Sequence, residues 1–549
     1  MNRLKPLVAV ILSGILIATS WPNLGNITPF LFIGFVPLLG LADRFENSSR
    51  GSIKFLLWTY VAFLVWNFID TYWLFYVQGD FFTRFMSAFM PSFLNAFLMA
   101  IPWFLFFITK KRLGTVIGYL SLPAYWISYE YLHLNWDLSW PWLVIGNAFA
   151  GNINWIQWYE FTGTLGGTLW VLVANILVFT GIKQYSETRD IKRFISPVLF
   201  IILPVALSYA ILGMTGEKGK REEVVIIQPN IDAYGEKFSL PFDQQLNIAL
   251  SQAEKARTAN TRLLLFPETA LQEGCGLYSD PQTGILQLTG LWESQLEQSQ
   301  SIPLMRKYLA DKPQLTVLTG IPSNGLCPAG SPPTLTARPV HGTERFYDSY
   351  NTAMWLNLRQ LELYHKSKLV PAAEILPFAT VLKPLLGDVI LDFGGSSSSL
   401  ATQPFRTVFS APSTAIKAAP VICYESIYGE FVGDYVIKGA NLICVMTNDG
   451  WWDFTAGHKH HLAYSRLRAI EHRRDVVRSA NTGISAHINQ RGEILQSIPY
   501  DQPGVLRVNP ALNEDQTFYT RFGDYIGVIA VTGLCLVIVS LVLKRFGVF

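Results

Sequence analysis

Pro420-Val421-Ile422-Cys423-Tyr424-Glu425 decides how this chain is read. A short apolar run, 419–422, stops on a cysteine that a tyrosine and a carboxylate follow. A strand ending on a nucleophile is useful only if other strands bring partners to the same edge, and two stretches do. Leu264-Leu265-Phe266-Pro267-Glu268-Thr269 ends a run, 262–266, on a carboxylate. Tyr364-His365-Lys366-Ser367-Lys368-Leu369-Val370-Pro371 supplies a lysine, with Glu374 close behind. A carboxylate can take a thiol proton as general base. An ammonium can stabilise an oxyanion and favour thiolate. The thiolate can attack a carbonyl and form a thioester, with the backbone N–H of Tyr424 as a second oxyanion donor. Each motif is weak alone, since a cysteine at a strand end is most often a packing residue. Their order and neighbours together are specific.

Outward from these motifs the same texture continues. The runs 224–227, 315–319 and 441–446 read as buried strands, and 244–256 and 458–474 as helices. Strands alternating with helices predict an α/β domain over 215–515. Residues 321–336, rich in Pro, Gly and Ser, read as a loop. Gly457-His458-Lys459-His460-His461 lacks zinc-type spacing and reads as a loop or helix start near the site. Arg466, Arg468, Arg473, Arg474 and Arg478 read as a solvated or salt-bridged face. No Gly-rich phosphate loop is present, so no nucleotide is expected; no metal and no other cofactor is expected either.

Beyond this domain the composition changes class. Half of the 549 residues are apolar and 15% are charged, against about 25% charged in soluble domains. Net charge is +3, which gives no case for nucleic-acid binding. Seven apolar spans precede residue 215, roughly 5–21, 27–42, 54–77, 85–109, 114–133, 163–182 and 194–213, and an eighth runs roughly 525–543. The first pair is short, and a re-entrant hairpin is its alternative. The basic start, Arg3 and Lys5, resembles a signal peptide, yet further spans follow at once, so the first reads as a retained helix. Lys110-Lys111-Arg112 and Arg189, Lys192 and Arg193 fall between spans on the side of the N-terminus, while the short loops opposite hold only Arg84. The positive-inside rule then places both termini in the cytoplasm and 214–524 outside. The expected domains are a seven-helix bundle (1–214), the α/β domain (215–515) and a final span (516–549). Asp70 and Glu130 fall inside spans, where charge is costly and often functional.

The order Pro-Glu-Thr, Lys-x-x-Leu-Val-Pro-x-x-Glu and Cys-Tyr-Glu resembles the nitrilase superfamily. With the spans around it, the chain resembles apolipoprotein N-acyltransferase over nearly its whole length. That resemblance implies a membrane bundle carrying a nitrilase-like αββα sandwich outside a bacterial inner membrane. It implies Glu268 as general base, Lys366 as oxyanion stabiliser and Cys423 as nucleophile. Glu374 would position the lysine, and Tyr424 and Glu425 match the residues that follow the nucleophile. Trp142 resembles an outward-facing aromatic at the substrate entrance. Tyr350-Asn351-Thr352, Asn448-Asp449-Gly450-Trp451 and Arg478 to Gly483 look like landmarks that build the fold. The implied acyl donor is a phospholipid and the acceptor a diacylated apolipoprotein; the oligomeric state is left open.

The chain departs from the pattern in two places. Pro371-Ala372-Ala373-Glu374 replaces the more usual Pro-Phe-Gly-Glu, and an insertion is expected near 272–346. That insertion holds Cys275 and Cys327, which an oxidising compartment would allow to pair. The apolar stretches 375–378 and 381–391 could cover the site. Two other functions compete: a membrane-tethered amidase or nitrile hydrolase passing the acyl group to water, and a non-catalytic membrane protein such as a transporter. Substitution of Cys423 separates an enzyme from the second.

Overall fold

The computed structural model describes residues 5–22, 24–274, 276–279, 286–331, 333–340, 343–381 and 399–547. Cys275 and residues 382–391 lie outside them, and with them the expected Cys275–Cys327 pair and most of the second apolar stretch. The chain divides into two compact units, Met1–Gly216 with Thr455–Glu471 and Thr517–Phe549, and Glu217–Phe454 with His472–Gln516. The helix Gly457–His472 thus groups almost entirely with the apolar helices, although it lies in sequence within the α/β segment.

In the helical unit, six helices among the described residues are long and apolar enough to cross a membrane: Thr28–Phe45, Gly51–Asp70, Phe81–Leu113, Tyr159–Thr188, Ile191–Met214 and Tyr525–Arg545. Thr115–Asn135 has a comparable length, 21 residues. Pro6–Ala18 has 13, about 20 Å at 1.5 Å per residue, which is short of the ~30 Å apolar core. The segment Thr28–Phe45 is broken at Phe35, because Pro37 has no N–H to continue the ladder. The amide of Phe35 donates instead to Asn175 Oδ1 at 2.8 Å. Glu130 is held by three donors, the Trp126 indole (2.8 Å), the Ile145 amide (2.9 Å) and the Thr168 hydroxyl (2.7 Å). It therefore ties two helices to the irregular segment that follows Asn135. Asp70 accepts from the Trp66 indole at 2.6 Å.

The α/β unit is built on two sheets. The first contains β1 (Glu223–Gln228), β2 (Thr261–Leu265), β3 (Thr316–Leu326), β4 (Arg338–Pro339), β5 (Phe346–Leu356) and β6 (Leu361–His365), with a strand from the C-terminal side at its edge. The second runs β7 (Phe409–Ser410), β8 (Lys417–Ile422), β9 (Leu442–Thr447), β10 (Val476–Ala480), β11 (Ser485–Ile488) and β12 (Ile494–Ile498). The late edge strand of the first sheet is β13 (Gly504–Val508), antiparallel to β1. Strands β1, β2 and β3 are mutually parallel, as are β8, β9 and β10.

Side chains alternate between the faces of a strand, and here both faces are buried. Val225, Ile227, Leu264, Val317, Met354 and Leu356 pack with Leu246, Ala249 and Ala253 of helix Phe242–Ala256 and with Ile302, Met305 and Leu309 of helix Ser301–Leu309. On the opposite face Trp355 of β5 stacks on Phe409 of β7, with ring centroids 5.8 Å apart. Helix Gly429–Ile437 lies beyond the second sheet, its Tyr435 hydroxyl donating to Pro420 O at 3.3 Å. The layers are helix, sheet, sheet, helix, the αββα sandwich.

The sequence reading places a loop at 321–336, but β3 continues to Leu326. Gly320, Pro322 and Gly325 look like turn residues, yet β5 pairs with every position from Val317 to Leu326. Partner hydrogen bonds outweigh local preference there. The arginines also differ from a solvated face. Arg468, Arg474 and Arg478 are buried; Arg468 pairs with Glu471, Arg478 with Asp449, and Arg474 donates to Ala440 O at 3.0 Å. His460 Nε2 sits 2.6 Å from Pro22 O in the helical unit.

Candidate active site

The sandwich delivers its chemistry at strand ends. Glu268 lies three residues past β2, Lys366 directly after β6 and Cys423 directly after β8. Lys366 Nζ sits 2.8 Å from Glu374 Oε1 and 3.3 Å from Glu268 Oε1. Glu268 also accepts from Asn351 Nδ2 (2.7 Å) and from the Asn448 amide (3.1 Å). Glu374 is fixed by the Val370 amide at 2.8 Å. Asn351 is tied in twice, because its carbonyl accepts from the Lys366 amide at 2.8 Å. Lys368, the other lysine of its motif, turns away and places its ammonium over the Tyr428 ring at 4.9 Å.

Burial alone pulls the Lys366 ammonium down, but Glu374 and Glu268 together hold it well above the ordinary lysine value. It is a permanent cation with a charge on either side. Cys423 behaves oppositely. Burial pushes its thiol far up and Glu268 pushes further, against the pull of Lys366. The thiol therefore rests protonated, and attack by it would require a base to take its proton.

Cys423 has φ +49°, in the left-handed region, which costs an L-residue of order 1–3 kcal/mol unless neighbours enforce it. Glu425 enforces it. Its Oε2 accepts from the Ile422 amide (2.8 Å), and its Oε1 from the Tyr364 hydroxyl and the Ser367 amide (2.7 Å each). One carboxylate thus locks the nucleophile turn to the lysine turn. Burial raises Glu425 above the usual carboxylate value, against these donors. The Ser426 hydroxyl closes the turn on Cys423 O at 2.8 Å. Tyr424 is buried, with its ring 5.4 Å from that of Tyr428.

Gly320 keeps Glu268 in place. A Cβ there would lie 2.3 Å from the Thr269 amide nitrogen and 2.7 Å from Glu268 Cα. Backbone cannot yield to such contacts, so Gly320→Ala must shift Glu268. A displacement near 1 Å costs about 10²-fold in rate. We expect that loss in acylation of Cys423 with a circular-dichroism spectrum like wild type; acylation within twofold of wild type would show that Glu268 does not need this backbone.

Trp142 belongs to the helical unit. There it is buried, T-shaped to Trp73 at 5.0 Å and 5.9 Å from the rings of His461 and Tyr464. Two residues with a place in the site were not assigned chemistry from sequence. Asn351 was noted only as a fold landmark. Lys237 carried no motif at all, yet it is buried beside Thr269.

Residues 224–515 match the carbon-nitrogen hydrolase family, and residues 13–177 match the apolipoprotein N-acyltransferase N-terminal domain. The chain belongs to the apolipoprotein N-acyltransferases of the carbon-nitrogen hydrolase family. An apolipoprotein N-acyltransferase of Chlorobaculum tepidum is 27% identical over 95% of this chain and 94% of its own. One from Geobacter metallireducens is 25% identical over 97% of this chain and 95% of its own. One from Thermotoga maritima is 23% identical over 97% and 93%. The chain is therefore an enzyme of this family, and these three relatives align with it over both of its parts.

Proposed function

We propose that this enzyme moves a fatty acyl group from a phospholipid, through a thioester on Cys423, to the α-amino group of the N-terminal diacylglyceryl-cysteine of lipoproteins. The observation that carries the reading is the buried Glu268–Lys366–Glu374 cluster at the strand edge where Cys423 stands in its left-handed turn. Glu268 takes the Cys423 proton as the sulfur attacks the ester carbonyl. The carbonyl oxygen becomes an oxyanion facing Lys366 and the Tyr424 amide. The C–O bond breaks, the leaving alkoxide takes the proton from Glu268, and a lysophospholipid departs. In the second half the lipoprotein amine attacks the thioester, Glu268 accepts its proton, and the C–S bond breaks to restore the thiol. The family name of the relatives supports the acceptor, and the apolar helices support a lipid donor in the same bilayer. On this reading the enzyme spans a bacterial inner membrane several times, with the sandwich periplasmic and both termini cytoplasmic, as the basic loops direct.

Intact-mass spectrometry tests this directly. Purified enzyme incubated with phospholipid should gain one fatty-acyl mass, which Cys423→Ser should not form as a thioester cleavable by hydroxylamine. Adding a diacylated lipopeptide should remove it. An acyl-enzyme that water discharges as fast as the lipopeptide does would support a membrane-tethered amidase instead.

A further inference from the structure

Lys237 is 6% exposed. Its ammonium lies 2.5 Å from the hydroxyl of Thr269, the residue after the base, and among the described residues no carboxylate pairs with it. Its backbone is fixed on both sides, its amide donating to Asp232 O (2.9 Å) and its carbonyl accepting from Gln245 Nε2 (3.0 Å). The preceding turn is pinned by Asn481, which bonds both the amide and the carbonyl of Ile231 at 3.1 and 2.7 Å. A long flexible side chain is thus held in the α/β unit against Thr269, the residue that follows Glu268.

A buried cation without an anion is costly. Burial draws Lys237 down to about 8, with Glu268 pulling partly back. The cluster beside it has the opposite imbalance: Glu268 and Glu374 face the one cation of Lys366. The reaction oxyanion is already served by Lys366, and an incoming amine gains nothing from a second ammonium. What remains is an anionic group of the substrate, close to the reacting carbonyl but distinct from it. In a glycerophospholipid only the glycerol carbons separate the acyl ester from the phosphate.

We infer that Lys237 receives the phosphodiester of the acyl donor and so selects phosphate-bearing lipids in the first half-reaction. The inference rests on the phospholipid-donor reading above. Lys237 is a binding residue here, and its removal should act on donor choice rather than on the thiol.

The test compares two donors on the full-length enzyme in lipid nanodiscs: a phosphatidylethanolamine, and a p-nitrophenyl fatty-acyl ester that has no phosphate. The rate of mass gain at Cys423 is measured for wild type, Lys237→Met and Lys237→Arg. The ratio of the phospholipid rate to the p-nitrophenyl rate should fall at least tenfold in Lys237→Met, mostly through KM, and recover in Lys237→Arg. An unchanged ratio would overturn the inference, whether the two rates fall together or not at all. Inorganic phosphate is the other source of the same chemistry. If it slows p-nitrophenyl acylation of wild type but not of Lys237→Met while the donor ratio stays fixed, the site takes free phosphate and the lipid assignment fails. If wild type is acylated by the p-nitrophenyl ester and never by phospholipid, the donor reading itself falls, and this inference with it.

Discussion

Lys366→Met is expected to abolish acyl-enzyme formation and to destabilise the α/β unit at the same time. The ammonium it removes is 1% exposed and sits between Glu268 and Glu374 at 3.3 and 2.8 Å. Removing one partner of a buried ion pair costs about 3–5 kcal/mol, because the other charge stays buried without compensation. Here two carboxylates are stranded, and Asn351 cannot satisfy both. The catalytic loss adds to this. Losing one oxyanion donor alone costs about 10²–10³ in rate, and without Lys366 the Cys423 thiol loses the nearby charge that opposes the push of burial and Glu268. A second variant separates the two effects. In Lys366→Met/Glu374→Gln one stranded charge is gone, so the melting temperature should recover substantially while acylation stays absent. Acylation of Lys366→Met within tenfold of wild type would remove Lys366 from the chemistry and leave it as a structural cation.

That Glu268 and Cys423 could be picked out before their neighbours were visible has a physical reason. Two of the proposed catalytic residues, Glu268 and Cys423, follow parallel strands, β2 and β8. Such strands are covered on both faces and read as continuous apolar runs, as Val224 to Ile227 does, each residue fully buried. A polar residue that ends such a run is conspicuous. Glu268 and Cys423 do so, whereas Lys366 follows β6, a half-buried strand antiparallel to β5, and only its motif marks it. Asn351 ends no such run, because it lies within β5 and earns its role from Glu268, a residue far away in sequence. Lys237 is less visible still, since nothing local marks a short turn as buried. The length of β3 was hidden by Gly320, Pro322 and Gly325, whose local preference its partner overrides. The burial of the helix Gly457–His472 is hidden by its polarity. Its histidines and arginines suggest a wet surface, and only the partners they find, Pro22 O for His460 and Ala150 O for Arg466, make their burial tolerable. Parity and loop charge could count spans, but not foresee that Pro6–Ala18 stops at 13 residues.

Glu268→Gln is expected to slow acylation from phospholipid by about 10²–10⁴-fold, the range general-base catalysis supplies. The substitution keeps the shape of the side chain. It forces either Asn351 Nδ2 or the Asn448 amide to face the new amide nitrogen, so a stability loss of about 1–3 kcal/mol accompanies it. The pH dependence distinguishes a base from a mere spacer. In wild type, burial and then Glu268 hold the Cys423 thiol up, so thiolate is scarce at neutral pH and the proton must go to Glu268 during attack. With Glu268 neutral, one of the causes that raise the thiol is gone while Lys366 remains. The thiol then ionises at a lower pH than in wild type, and the rate of the variant should climb as pH rises. That rescue should appear with a p-nitrophenyl ester, whose leaving group needs no proton. It should fail with phospholipid, because the departing alkoxide still lacks the acid that protonated Glu268 provides. The difference between the two donors should therefore widen with pH in Glu268→Gln and stay constant in wild type. A variant equally slow toward both donors at every pH would mean that Glu268 holds Lys366 in place and moves no proton.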